Sequence, residues 1–326
     1  MTTVATAKGL ISAHWRRWAP VAVLVGLCIV IGTVSPNFFS RFNFIGLLNV
    51  AAIPLVISMG ATFIILMGSI DLSVEGTLAL CAVAASMLVA NDFTGVAIGL
   101  LSVPVAILIG GALGLVSGAI HVSLKIPSFM TTLGIGFAGI GIATAILGGV
   151  MVRISDNTFR YSLSLGRPLG VPAAVWIAAA AVLAAWVIQE RTRIGRWLYA
   201  IGTDEATARN AGIPVERTRI LIFGIAGLFY GLAGAMSAAQ IGRGHALIAQ
   251  DKLFTAITAV VVGGTALSGG VGSVLNTVVG VFIVVVLNNG MVLMGIEPYM
   301  QKGVQGLLII AAVALALDRS RLDVVK

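Results

Sequence analysis

Long apolar runs separated by short polar segments are the feature that most limits what this chain can fold into. A helix needs about 20 apolar residues to cross the hydrocarbon core of a bilayer. Only 10% of the residues are charged and 59% are hydrophobic, whereas soluble chains average about 25% charged residues, so a water-soluble domain is excluded. We predict an all-α, polytopic membrane protein with ten transmembrane helices. The ten runs are 19–34, 44–67, 72–90, 96–120, 129–150, 171–189, 219–241, 253–268, 274–294 and 300–317.

Basic residues indicate which loops face the cytoplasm, because short cytoplasmic loops are enriched in lysine and arginine. With a cytoplasmic N-terminus, 13 of the 20 basic residues fall in inside segments and 7 in outside segments. The bias predicts that both termini are cytoplasmic and accounts for the net charge of +8 without a nucleic-acid partner; membrane lipid is the expected surrounding. The predicted parts are a cytoplasmic N-terminal segment (1–18), a transmembrane region (19–317) with a cytoplasmic loop (190–218), and a cytoplasmic tail (318–326).

Two carboxylates interrupt the apolar sequence between the second and third runs, in the stretch Gly-Ser-Ile-Asp-Leu-Ser-Val-Glu-Gly at 68–76. A charge at membrane depth is costly and marks a functional site by default. Two interpretations stay open. The carboxylates could line a transport pathway, paired with a base such as Lys125 or Arg41, or Asp71 could cap a helix that begins at Leu72. The pathway candidates here are Asp71, Ser73 and Glu75.

A glycine-rich stretch at 263–273 repeats the first one at an offset of 195, so that Gly68 corresponds to Gly263 and Ser73 to Ser268. Glycine-interrupted segments in the two halves of a transporter point to its pathway. A phosphate-binding loop is the weaker alternative, because the Lys-Ser/Thr ending is missing and the flanks are apolar. The pathway candidates here are Gly263, Gly264 and Ser268.

The inside loop 190–218 is much longer than the roughly 2–8 residues that join neighbouring helices. Thr203 suits an N-cap, acidic residues follow it, and a glycine and Pro214 suit a helix end. We therefore predict a separate short helix at 204–211 that docks a cytoplasmic partner, with a solvated connector as the alternative. The docking candidates are Thr203, Asp204, Glu205, Arg209, Asn210 and Gly212.

Nothing in the sequence supports an enzymatic site of its own. There is no phosphate-binding motif with a lysine, no Ser/His/Asp arrangement, and the two cysteines and three histidines show no metal-ligand spacing. We therefore expect no catalytic residue, bound cofactor or metal, and any ATP and Mg²⁺ would be bound by a partner subunit.

Three stretches resemble the membrane permease subunits of ribose-type ABC sugar importers. They are 68–74, close to the family pattern G-G-I-D-L-S-V-G, then 195–234 with its G-R-x-x-Y-A-I-G loop, and 261–273. The resemblance covers about residues 40–317. It implies a permease of the bacterial inner membrane that translocates a sugar or sugar-like solute. It also implies three kinds of partner: a second permease subunit (a copy or a paralogue), cytoplasmic ATPases that dock on 190–218, and an extracytoplasmic solute-binding protein.

One position departs from the family pattern: Glu75 stands where the pattern has glycine. The extra carboxylate keeps a second hypothesis open, a secondary transporter that uses Asp71 and Glu75 as proton or sodium sites. The predicted docking helix argues against that hypothesis, because a self-sufficient carrier needs no such surface.

Overall fold

The computed structural model describes residues 2–316, and thirteen α-helices lie within that range. Two short strands, β1 (Val152–Arg153) and β2 (Arg243–Gly244), pair antiparallel, and the all-α prediction is confirmed. The predicted tail, 318–326, lies outside the described residues. The helices are α1 (Thr2–Val34), α2 (Arg41–Leu66), α3 (Val74–Leu88), α4 (Ser102–Leu124), α5 (Ser128–Leu147), α6 (Asn157–Arg160), α7 (Ala173–Arg191), α8 (Arg193–Thr203), α9 (Glu205–Asn210), α10 (Val215–Ile241), α11 (Lys252–Val262), α12 (Val274–Leu293) and α13 (Pro298–Ala316).

Within the described residues, six helical segments are long and apolar enough to cross a membrane: α2, α5, α7, α10, α12, and α4 with the 3₁₀ turn before it. Three further apolar helices are shorter, namely the Trp18–Val34 part of α1, α3 and α11. A helix occupies each of the ten predicted positions, but α11 ends at Val262, whereas a full span was predicted over 253–268. The polytopic character of the chain is confirmed.

The centre of the bundle is formed by α2 and α10. From Ala51 to Leu66 every residue of α2 is buried, as expected of a helix that is apolar on all sides. Small residues bring α10 against α4. A Cβ added at Gly110 would lie 2.2 Å from the carbonyl oxygen of Gly227, and one at Gly114 would lie 2.1 Å from that of Phe223. Such close backbone packing needs glycine and is common between membrane helices.

The loops gather at two ends of the bundle. One end, the coupling end, carries α8 and α9 together with the loops 67–73 and 263–273, which contact each other. The other end, the ribbon end, carries the β1–β2 pair and the bridge between Asn91 and Ile154. Three segments predicted to be inside (68–71, 190–218 and 269–273) therefore meet at the coupling end, and three predicted to be outside (91–95, 151–170 and 242–252) meet at the ribbon end.

Candidate functional site

The first broken segment joins α2 to α3. α2 closes with Gly68 in the left-handed conformation (φ +76°), and the N–H of Ser69 bonds back to the carbonyl of Ile64 at 3.0 Å. The following residues are not helical until α3 begins at Val74. This type of helix ending satisfies the last carbonyls of α2 and frees the chain to turn back.

The non-helical residues run from the coupling end into the bundle along α5. The N–H of Ile70 donates to the Ser128 hydroxyl at 3.1 Å, and that of Leu72 donates to the Thr132 hydroxyl at 2.9 Å. A Cβ added at Gly76 would lie 1.9 Å from the carbonyl oxygen of Gly136. Gly136 stands eight residues into α5, about 12 Å along a helix that rises 1.5 Å per residue. α3 therefore begins deep inside the bundle.

Asp71 is buried on this re-entrant stretch, with 7% of its surface exposed. Its Oδ1 accepts hydrogen bonds from the Ser73 N–H (2.8 Å) and the Ser73 hydroxyl (2.6 Å). The alternative interpretation, that Asp71 caps a helix beginning at Leu72, is wrong, since α3 begins at Val74. Asp71 instead closes a local turn with the residue two positions on, as aspartates often do.

The basic partner expected for these carboxylates is not found. Among the described residues, neither Asp71 nor Glu75 forms an ion pair, so Lys125 and Arg41 do not take that role. The buried hydroxyl of Tyr230 faces the Asp71 carboxylate without a hydrogen bond of good geometry. Asp71 is thus buried with no basic partner among the described residues, and the two hydrogen bonds from Ser73 hold its carboxylate in place.

Glu75 lies in the first turn of α3 and reaches the start of α11. Its Oε1 accepts a long hydrogen bond of 3.4 Å from the N–H of Leu253, and the residue is half-buried. The carboxylate thus lies near the N-terminal ends of two helices, which favour negative charge. Next to it, Asp251 pairs with Lys302 of α13 at 3.0 Å.

The second broken segment joins α11 to α12, with Gly264 in the left-handed conformation (φ +93°). The N–H of Thr265 bonds back to Val260 at 3.1 Å, as Ser69 does in the first segment. The Ser273 hydroxyl accepts from the N–H of Asn276 at 3.1 Å and caps α12.

The predicted offset of 195 between the two segments needs correction. The helix ends correspond at an offset of 196, with Gly68 matching Gly264. The helix starts correspond at an offset of 200, with Ser73 matching Ser273. The second loop is therefore four residues longer than the first, and neither Gly263 nor Ser268 is the structural counterpart assigned from the sequence alone.

The two broken segments touch at the coupling end. A Cβ added at Gly68 would lie 3.3 Å from the carbonyl oxygen of Ser268, and one at Gly269 would lie 2.9 Å from the Cα of Gly68. Gly270 donates its N–H to the carbonyl oxygen of Leu66 at 2.9 Å. Of the three candidates in the second segment, only Ser268 lies at Gly68. Gly263 packs against Asn276 of α12, Gly264 lies nearest to Pro20 of α1, and Asp71 and Glu75 lie deeper in the bundle.

α8, which sequence reasoning missed, packs on this contact. A Cβ added at Gly202 would lie 2.0 Å from the carbonyl oxygen of Leu66 and 2.5 Å from the nitrogen of Gly270. The Tyr199 hydroxyl donates to the carbonyl of Gly272 at 2.7 Å. Burial raises the pKa of Tyr199 to about 12, which keeps its hydroxyl protonated. Both broken segments are thus in contact with α8.

A second link runs from the end of α7 to α12. Gln189 is buried, with 4% of the residue exposed. Its side-chain carbonyl accepts a hydrogen bond from the N–H of Val274 at 2.7 Å and so satisfies a free donor at the start of α12. α8 begins four residues later, and Gly195 lies so close that an added Cβ would be 1.8 Å from the Gln189 carbonyl oxygen. Gln189 therefore contacts both α8 and the start of α12. We refer to α8 and α9 together as the helix pair.

The short helix predicted at 204–211 is present as α9, but Thr203 is not its cap. Thr203 ends α8, and its hydroxyl donates to the carbonyl of Tyr199 at 2.7 Å. Asp204 caps α9, and its Oδ1 accepts from the N–H groups of Ala206 (2.9 Å) and Thr207 (3.1 Å). Hydrogen bonds from the Thr207 hydroxyl and backbone lower the pKa of Asp204, so the cap is a carboxylate.

Ion pairs hold α9 against the start of α10. Glu205 pairs with Arg209 at 3.1 Å and with Arg219 at 2.6 Å, and Arg209 also pairs with Glu216. These acidic partners raise the pKa of Arg209. Gly212 closes the helix in the left-handed conformation (φ +82°). Asn210 is exposed, as are Thr207 and Arg209, so the helix presents a fixed outer face.

A helix bundle with two broken segments, both contacted by a helix pair that projects from one end, defines the membrane-embedded subunit of a transporter. The profile of a permease family described as "Branched-chain amino acid transport system / permease component" matches residues 43–313. The chain belongs to this family.

Three relatives from Escherichia coli K12 illustrate the relationship. The ribose import permease protein is 35% identical, over 90% of this chain and 91% of its own length. The L-arabinose transport system permease protein is 33% identical, over 92% and 90%. A probable ABC transporter permease protein is 34% identical, over 94% and 91%. No solved structure matches the chain. The protein is a permease subunit of an ABC importer and a multi-pass protein of the bacterial inner membrane.

Proposed function

We propose that this permease translocates a sugar or sugar-like solute, delivered by an extracytoplasmic solute-binding protein. The relatives named for ribose and L-arabinose support this substrate class. Cytoplasmic ATPase subunits bind ATP and Mg²⁺ and dock on α8 and α9, and a second permease subunit, identical or paralogous, completes the pathway. This chain hydrolyses no ATP itself.

One observation carries the proposal: the helix pair that would dock an ATPase contacts both broken segments. Gly202 packs on Leu66 and Gly270, and Tyr199 bonds to Gly272. A displacement of α9 by the ATPase is therefore passed through α8 to the ends of α2 and α11 and to the start of α12. Packed interiors transmit small shifts because they deform little.

We propose ten crossings with both termini in the cytoplasm. The grouping of predicted inside loops at the coupling end supports this arrangement, as does the 13-to-7 distribution of basic residues. In it, α3 and α11 cross together with the non-helical residues beside them. Reporter fusions after Lys326 and within 151–170 test the arrangement. Opposite sides are expected, and a shared side would contradict it.

Glu75, rather than Asp71, is the better candidate for contact with the solute. Asp71 is buried and both of its hydrogen bonds go to Ser73. Glu75 is only half-buried, and no base among the described residues neutralises it. The half-buried carboxylate between the starts of α3 and α11 can bind hydroxyl groups of a solute as a strong acceptor.

Transport in proteoliposomes tests the function. The permease is reconstituted with its proposed ATPase and solute-binding protein, and uptake of labelled ribose and L-arabinose is measured with and without internal ATP. We expect uptake only with both ATP and the binding protein. Uptake driven by a proton or sodium gradient in the absence of ATP would instead support the secondary transporter.

A further inference from the structure

A polar cavity of about 670 Å³ opens at the ribbon end of the molecule. It is formed where the loop after α3 meets β1, α6 and the end of α10. Three arginines line it, Arg153, Arg160 and Arg243, and Asp92 is the one acidic residue among the described residues of its lining. None of the sequence motifs described above reaches this end of the bundle.

The three guanidinium groups are not neutralised by the described part of the chain, where none of them forms an ion pair. Arg160 lies against Gly242, where an added Cβ would be 2.8 Å from its guanidinium carbon, and its Nε donates to the Ala239 carbonyl at 3.4 Å. Asp92 uses Oδ1 to accept the backbone N–H of Arg153 at 2.8 Å. The cavity therefore carries an excess of positive charge.

The frame that holds these arginines is built before any partner arrives. β1 pairs with β2 so that Arg153 stands opposite Arg243, and the N–H of Ile154 bonds to the carbonyl of Gly242 at 3.0 Å. A bridge from Asn91 to Ile154 adds the loop after α3 to the same frame. The frame fixes the backbone positions of Arg153 and Arg243, so less backbone freedom is lost on binding than in a mobile loop.

We propose that this cavity receives carboxylate side chains of the extracytoplasmic solute-binding protein, an inference that rests on the proposed function and on the outward orientation of the ribbon end. Guanidinium groups bind carboxylates in a bidentate manner, and the cavity has room for more than one acidic side chain. A neutral sugar does not need three positive charges, so the solute is not the expected occupant.

The test measures how tightly the binding protein docks on the permease–ATPase complex in nanodiscs of phosphatidylcholine. Arg153→Gln combined with Arg243→Gln is compared with wild type at low and high salt. We expect the Kd of the double variant to rise at least tenfold at low salt and its salt dependence to flatten, because fewer charges are paired. Arg153→Lys with Arg243→Lys retains charge and should lose far less affinity.

Arg167→Gln is the matched control, because Arg167 is exposed at the same end but does not line the cavity. Its Kd should stay within twofold of wild type. An unchanged Kd and salt dependence in the Gln double variant would overturn the inference. The inference would also be overturned if the Gln double variant lost co-purified phosphatidylglycerol but kept its affinity for the binding protein, since the cavity would then bind lipid headgroups.

Failure of the proposed function is distinguishable from failure of this inference. A wild-type complex that shows neither ATP-driven uptake nor docking refutes both. A wild-type complex that takes up solute, with a double variant that docks equally well, refutes the arginine cavity alone. Equal amounts of permease in the membrane fraction, checked for every variant, ensure that a loss of docking does not reflect misfolding.

Discussion

The backbone N–H of Gly270 donates a 2.9 Å hydrogen bond to the carbonyl oxygen of Leu66. This bond joins the last turn of α2 to the loop between α11 and α12, two parts of the chain separated by about two hundred residues. Gly202 of α8 packs directly on it. One backbone contact thus brings together both broken segments and the helix pair α8–α9, which we propose to be the ATPase docking surface.

Gly202→Ala should weaken ATP-driven uptake strongly. The new methyl group would lie 2.0 Å from the Leu66 oxygen, so α8 must move away from the broken segments, at a cost of about 1–3 kcal/mol for overpacking. Uptake and ATP hydrolysis are measured in proteoliposomes. Gly134→Ala is the control, because nothing lies within 4 Å of a Cβ there, and it should behave as wild type. Equal uptake in both variants would contradict the role of Gly202.

Glu205→Gln should uncouple ATP hydrolysis from transport without unfolding the permease. The change removes the ion pairs of Glu205 with Arg209 and Arg219, which fix the direction of α9, while solvent-exposed ion pairs contribute little to overall stability. Arg217→Gln is the control, since Arg217 is exposed nearby and forms no ion pair with the described residues. If ATP hydrolysis and uptake stay fully coupled in Glu205→Gln, the ion pairs of Glu205 are not needed to hold α9.

Asp204→Ala should fray α9, whereas Asp204→Asn should retain most of the helix, because asparagine caps about as well as aspartate. Hydrogen exchange of the amides from Thr207 to Asn210 measures the difference. Since the pKa of Asp204 is lowered in the folded state, its charged cap stabilises α9 above the ordinary pKa of about 3.9. That contribution is lost as the pH falls through the lower, folded value. If the protection of these amides from hydrogen exchange changes neither with pH nor in Asp204→Ala, Asp204 does not cap α9.

Asp71→Asn should fold and transport almost normally. The amide oxygen of asparagine can accept both hydrogen bonds from Ser73, and the buried charge is removed. Asp71→Ala leaves those donors without a partner, which costs about 1–3 kcal/mol for a buried group, and should lower the amount of permease in the membrane. If Asp71→Asn is present at normal levels but does not transport, the charge itself takes part in transport.

Glu75→Gly should fold, because its single hydrogen bond to Leu253 is long at 3.4 Å, and should alter transport modestly. Glu75→Gln keeps the acceptor and removes the charge. We therefore expect the KM for the solute delivered by the binding protein to change more in Glu75→Gly than in Glu75→Gln. Loss of membrane insertion in Glu75→Gly would instead mean that the carboxylate is structural.

Sequence reasoning located helices and loops well where the signal is local. Ten apolar runs each contain a helix, and the capping residues around α9 predict it within one residue at each end. α8 was missed because arginines surround its apolar positions, although Ile194, Leu198 and Ile201 have helical spacing and the last two are buried. That spacing is the signal that could have revealed it.

The local sequence pattern could not predict how deep α3 begins in the bundle, or which distant parts of the chain contact each other. The start of α3 is set by Gly136 of α5, sixty residues away, so the capping rule placed it two residues too early at Leu72. The second loop has four more residues than the first, and it contains Ser268 and Gly269, which contact Gly68. A comparison of the two segments at one constant offset does not reveal this insertion. The arginine cavity combines positions from 92 to 243 with no shared motif.

The start of α3 beside Gly136 also bears on how the chain is made. α3 has 15 residues and α11 has 11, which correspond to about 22 and 16 Å of helix, well short of the roughly 30 Å hydrocarbon core. Neither can leave the protein-conducting channel for lipid alone, since its non-helical neighbours carry free N–H and C=O groups. During biosynthesis each must therefore wait for helices that cover it, and the membrane insertion of this permease is cooperative between its two halves.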